Sequence, residues 1–411
     1  MSLTSKIILG AGVAVFAVLI ALAWFFARPA GTNTGATSLP TFGLGAPVST
    51  PVQSGTSANG AGGSNLSLAE TGAQTKIFKV ADGPVTAATI IETGLPTTTL
   101  ARFVMADNGH VYDLPLGVPG AALRIISNTT IPGIARALWA PGGRAALMQY
   151  EDRGAVKTLS MTFPAATSTP LPSKIQFLPD GIASVALSPD GASAAYLLAT
   201  ASGSTGYISA ANGANSKVLF SSPFSQLLIS WPAQGTLLAQ TPAAAGVPGG
   251  LFSINAKTGA VSSLLFAPGL TAIADSGFLH IVYQTLPPGS NLRFSFLHNT
   301  KTGGESPLSF DPLPEQCVWS GDNNALMYCA VPLQYVPQNY LDLWHQGLSN
   351  TPENIISFNV STGASAIVAV PGSKDGGAAA EISSIALSQS GNYLLYITKG
   401  DRSLWAVRLT Q

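Results

Sequence analysis

Two stretches of this chain, 200 positions apart, carry nearly the same pattern: VALSPDGASAAYLL at 185–198 and IALSQSGNYLLYIT at 385–398. Each is an apolar run, a tight turn and a second apolar run. In the turn Pro sets φ early, Asp caps locally, and Gly takes the left-handed position. Looser copies occur at LWAPGGRAALMQY (138–150), SWPAQGTLLAQT (230–241), IADSGFLHIVYQ (273–284) and VWSGDNNALMYC (318–329). Aligned on the turn they place Gly143, Gly191, Gly235, Gly277, Asn323 and Gly391 in register, with Tyr196, Tyr328 and Tyr396 five residues on in three copies. A second landmark, N-x-x-T-G, recurs as INAKTG (254–259), HNTKTG (298–303) and FNVSTG (358–363).

Two hairpin turns per unit mean four strands, and four-stranded units of about 42–48 residues predict propeller blades. From residue 75 onward the periodicity is that of short strands, with no long helical pattern. Six units follow from the aligned turns. A seventh lies upstream, in TAATIIETG and TTLARFVMADNGHVYDLPL, with a turn at Asp107-Asn108-Gly109. The last unit has only three strands, IALSQS, NYLLYIT and SLWAVRL, and a spare strand, TKIFKV (75–80), stands before the first. Pairing the two closes the ring and removes an exposed edge.

The SPDG turn resembles the WD-type repeats of TolB-like β-propellers. The resemblance covers roughly residues 76–411, and only Ser188-Pro189-Asp190-Gly191 matches the family turn in full. It implies a fold and not one function. The expected fold is thus all-β, a seven-bladed propeller of four-stranded antiparallel blades at 75–411, preceded by one transmembrane helix and a disordered linker.

That helix is expected within residues 1–30. Ile7 to Phe26 is a run of twenty uncharged residues, about 30 Å as a helix and enough to cross a bilayer. A cleaved signal peptide is the rival, but its apolar core would be shorter, and Arg28-Pro29 is a poor cleavage site. Lys6 precedes the run and Trp24 sits near its far end, so the C-terminal domain is expected outside the cytoplasm. Residues 31–74 form the linker: the stretch 31–68 holds Gly, Ser, Thr and Pro without one charge and cannot bury a core. As a flexible coil it spans on the order of 35 Å.

Composition narrows the function. Charged residues make up 9% of the chain, and nineteen basic residues balance nineteen acidic ones. That leaves no basic stripe for nucleic acid. No G-x-S-x-G elbow and no Gly-rich nucleotide loop occur. The four histidines fall in different blades without zinc-ligand spacing, and Glu151-Asp152 reads as a turn. No metal, cofactor or catalytic residue is expected.

One irregularity stands out. The interval between the two turns is 22, 24 and 26 residues in three successive blades, and 40 from Asn323 to Gly363. The surplus, 331–355, alone among the corresponding loops offers Tyr335, Tyr340, Asp342, Trp344 and His345, a mixture of aromatic and polar groups suited to recognition. The same residues could instead cap the propeller's own core. Cys317 and Cys329 flank the sixth hairpin turn almost symmetrically, which suits a disulfide; two buried core thiols are the alternative. The expected function is a membrane-anchored binding or scaffold module for a protein or a cell-envelope polymer, not an enzyme. The alternative is a hydrolase or lyase acting on an extracellular or cell-wall polymer from the same face.

Overall fold

The computed structural model describes residues 75–94, 98–163, 174–290, 292–321 and 325–409. The expected membrane helix, the linker up to residue 74 and the turn at Asn323 lie outside them. Among the described residues no helix is long and apolar enough to cross a membrane.

Twenty-eight strands, β1–β28 in chain order, form seven antiparallel four-stranded sheets. The fold is a seven-bladed β-propeller. Six blades take four consecutive strands each, so their innermost strands are β2 (Val85–Thr93), β6 (Ile134–Trp139), β10 (Ile182–Leu187), β14 (Leu228–Ala233), β18 (Thr271–Ala274) and β22 (Cys317–Trp319). The seventh begins with β26 (Ile382–Leu387), followed by β27 (Tyr393–Thr398) and β28 (Leu404–Arg408). Its fourth strand is β1 (Ile77–Ala81), which pairs with β28 from Ile77 opposite Val407 to Ala81 opposite Leu404. The spare strand therefore closes the ring as expected.

The repeated turns owe their shape to local hydrogen bonds. In the third blade Ser188 Oγ donates to Asp190 Oδ1 (2.6 Å) and accepts the Ser193 N–H (2.9 Å), while Asp190 Oδ1 also accepts the Ala192 N–H (2.9 Å). Gly191 sits at φ 70°, where a side chain is strained. In the seventh blade Ser388 Oγ accepts the Tyr393 N–H (2.9 Å) in the same way. The second turn is equally regular. Asn255, Asn299 and Asn359 each turn a side-chain oxygen to the next two N–H groups but one, at 2.9–3.1 Å. In the fifth blade the left-handed position belongs to Phe278 (φ 52°), not to the aligned Gly277. The recurring tyrosines are core: Tyr196 stacks on Tyr207 across the sheet, and Tyr396 on Trp405, with ring centroids 5.3 and 6.3 Å apart.

Each inner strand begins at the same face of the ring, and there a polar side chain ties every blade to the next. Thr86 Oγ1 donates to the Ile134 carbonyl (2.9 Å), and Gln149 Nε2 to that of Ile182 (3.2 Å). Ser184 Oγ accepts the Ile229 N–H (3.0 Å), and Gln240 Oε1 the Ala272 N–H (3.1 Å). Thr271 Oγ1 donates to Glu315 (3.1 Å), Gln316 Nε2 to the Ile382 carbonyl (2.5 Å), and Arg402 Nη2 to Thr86 Oγ1 (3.0 Å). Apolar side chains pack between the sheets, but this circle of hydrogen bonds sets the register of the seven blades at the mouth of the central channel.

Candidate functional site: the channel mouth and its cover

The long connection of the sixth blade runs from the end of β23 (Leu326–Pro332) to the start of β24 (Glu353–Asn359). It emerges on the face where the inner strands begin and carries one short helix, α1 (Tyr340–His345). The Pro337 and Asn339 carbonyls begin the turn, accepting the Tyr340 and Leu343 N–H groups (2.9 Å each). The helix is too short to stand on propensity, so packing must hold it. Its inner side supplies that: Val336, Tyr340 and Leu341 bury against Leu313, with Ala243 of the fourth blade and Trp344 alongside.

Beneath the helix lies a polar cluster centred on the buried Gln316, Glu353 and Glu381. Tyr340 places its hydroxyl 3.2 Å from Glu353 Oε1 and 3.0 Å from Glu381 Oε1. Glu353 also accepts the Ile382 N–H (2.7 Å) and Gln316 Nε2 (2.9 Å). Glu381 accepts Ser349 Oγ (2.8 Å) and pairs with Lys399 (3.2 Å). Lys399 reaches further, donating to the Trp344 carbonyl (2.6 Å) and lying 4.4 Å over its ring. A cation at the last turn of a helix is favourably placed. Burial pushes the Glu353 carboxyl up to about 8, with Glu381 adding to the shift, while the Ile382 and Gln316 donors oppose it. Burial also raises the Tyr340 phenol and lowers the Lys399 ammonium.

The five candidate residues thus part company. Tyr340 is 1% exposed and points inward, so its ring is not offered at the surface. Asp342 accepts the Ala245 N–H (2.9 Å) and pins the segment to the fourth blade. Trp344 is half-buried and lines the channel. His345 holds Glu315 through Nε2, 3.1 Å from both carboxylate oxygens, and that hydrogen bond raises its pKa. Tyr335 is 73% exposed. Tyr340, Asp342, Trp344 and His345 therefore help seat the cover, and Tyr335 has the largest share of its surface in solvent.

The channel mouth under this cover is a cavity of about 750 Å3 walled by β2, β6 and β26. Its charged groups are Arg136, Glu315, Lys399 and Arg402. None of the six residues Arg136, Gln316, Glu353, Glu381, Lys399 and Arg402 was singled out by sequence. They come from the second, sixth and seventh blades, and no short spacing marks them. Further out, Arg293 lies 5.2 Å from the Tyr340 ring; burial lowers its guanidinium, with Asp311 opposing. At the start of β22, next to Gln316, Cys317 faces Cys329 in register, Cα atoms 4.1 Å apart, and the two are joined by a disulfide.

No protein-family model and no curated protein matches this sequence. Solved structures do resemble it in fold. An oligogalacturonate lyase in complex with manganese superposes with a TM-score of 0.56 over 82% of this chain and 94% of its own, at 12% identity. TolB from Acinetobacter baumannii gives 0.42 over 68% and 62%, also at 12% identity. Hydrazine synthase from Kuenenia stuttgartiensis gives 0.48 over 75% and 92%, at 11%. At such identities the similarity is one of fold alone.

Proposed function

We propose that this propeller is a binding module, held outside the cytoplasm by an N-terminal membrane anchor, that recognises a protein or a cell-envelope polymer with the face bearing the 333–352 segment. One observation carries this: a segment seated by a buried polar cluster still turns large apolar groups outward. Leu333, Tyr335 and Leu348 of that segment are 45, 73 and 68% exposed. Val247 and Leu292, on the corresponding connections of the fourth and fifth blades, are 54 and 56% exposed. Exposed apolar groups on a rigid support favour recognition, because little entropy is lost on binding.

An enzyme acting on an envelope polymer from the same face is less favoured. Glu353, the carboxyl best poised to exchange a proton near neutrality, is wholly buried beneath Tyr340 and reaches no substrate while the cover is seated. The test is capture from membranes by the tagged full chain after crosslinking. Tyr335→Ala combined with Leu348→Ala should cut the captured partner at least tenfold with an unchanged melt. Undiminished capture by that variant would reject this face as the recognition surface. Release of the propeller by protease added to intact cells, cut within 31–70, tests the topology; full protection with the outer face accessible would reject it.

A further inference from the structure

Arg136 stands on β6, in the wall of the channel mouth, where its backbone pairs with Gln149 of β7 but its side chain has no hydrogen bond or ion pair with any other described residue. Its guanidinium is open to the channel but surrounded by protein mass; that desolvation lowers its pKa, and Glu315 acts across the space in the opposite sense. A partly desolvated cation without a partner is costly, and an anion brought to it recovers much of that cost. Arg402, on the same wall, donates only to the neutral Thr86 hydroxyl (3.0 Å). The remaining charges are already matched. Lys399 is paired with Glu381, and Glu315 is engaged by His345 and Thr271. Two guanidinium groups are therefore left over in one cavity.

Between these charges the lining mixes small apolar residues with the hydroxyl side chains of Thr86, Thr89, Ser383 and Ser384, beside the larger Trp139 and Tyr396. Ala87, Ala135, Ala386 and Leu395 leave the room, about 750 Å3, within the range of ligand pockets. Trp344 also lines it, with a buried indole N–H that has no acceptor among the described residues. Leftover groups at this mouth are thus donors and cations, beside an apolar wall. A guanidinium fork matches a carboxylate edge in a way a point charge does not. We propose that the channel mouth binds a small organic anion carrying two or three carboxylates, with one carboxylate on Arg136, a second within the field of Arg402, and the carbon body against the alanine wall. This site is separate from the face recognition argued above, and either can fail alone.

Calorimetric titration of the full chain in detergent with citrate tests it. Saturable one-site binding is expected with Kd at or below about 1 mM at low salt. Raising the salt should weaken it, since Arg136 is exposed and Arg402 partly exposed, where counter-ions can reach them. Arg136→Gln should weaken it at least tenfold, and Arg136→Lys several-fold, because the charge stays but the fork is lost. Arg144→Gln, outside the channel, should change nothing. Inorganic phosphate, which has no carbon body, should bind more weakly than citrate. Absence of saturable citrate binding, equal affinity for phosphate, or an Arg136→Gln variant within twofold of the parent would each overturn the proposal. A melt of each variant, matched to the parent, excludes loss through misfolding.

Discussion

Tyr340 and Glu353 meet at 3.2 Å, while the same phenolic oxygen stands 3.0 Å from Glu381. A phenol has one hydrogen and can satisfy one carboxylate. The second contact is a hydrogen bond only if a proton rests on a carboxyl group. Burial, which pushes Glu353 up to about 8, favours that proton on Glu353 at neutral pH.

The sign of the pH dependence follows. Between about 4.5 and 8 the folded protein keeps a proton on Glu353 that the unfolded chain has released. Stability therefore falls as pH rises through that window and levels off above it. The drop from about pH 5 to pH 8 should be on the order of 3 kcal/mol. Glu353→Gln, which mimics the protonated acid, should remove most of this slope in urea unfolding measured across the window. His345 adds in the same direction. Its pKa is raised by the Glu315 hydrogen bond, so its contribution is complete below the ordinary histidine value and is lost as pH rises through the raised one. An unchanged slope in the glutamine variant would be incompatible with a buried proton at 353.

Trp344→Ala is expected to act on stability before recognition. The substitution removes packing beside Tyr340 and Leu341 and the ring beneath the Lys399 ammonium. A loss of about 2–4 kcal/mol should appear in thermal or urea melts. Tyr335→Ala, on the exposed end of the same segment, should cost under about 1 kcal/mol. Equal costs for the two would mean that the segment is not seated as described.

Cys317 and Cys329 pair opposite each other on β22 and β23 and are buried. Their bond closes a short loop, so its removal by replacing both with Ala should cost at most about 3 kcal/mol. Mass spectrometry of unreduced peptides from protein in its native compartment should recover the linked pair. Thiol reagents should reach it only after denaturant is added.

Ile77 is buried in the joint between β1 and the seventh blade. Ile77→Ala should cost about 2–5 kcal/mol. The loss should be localised: hydrogen exchange of the β28 amides should accelerate more than that of the third blade. Uniform acceleration would place β1 among ordinary core strands and not at a closure.

Much of this architecture is legible in sequence because turns are local. A left-handed glycine, an Asn reaching its own second and third neighbours, and alternating apolar runs each leave marks within six residues, so Gly191, Asn255 and Asn359 announce blades. Where the turn solves the problem with another residue, as Phe278 does, the alignment slips by one. The surplus of the sixth blade is visible as an interval, but not which side of it faces inward. Tyr340 and Tyr335 are alike as letters; only Glu353 and Glu381, brought from other positions by the ring, draw one of them under. Arg136 reads as an ordinary strand residue in GIARALW, since nothing nearby in sequence says that its strand borders a channel.

Ring closure by β1 also imposes an order in time. Six blades consist of consecutive residues and can form one after another as the chain leaves the ribosome. The strand made first must wait for the strand made last, because Ile77 finds Val407 only when synthesis has reached β28. Local hairpins form fast and distant pairings slowly. The ring can therefore close only after the last of its strands is made.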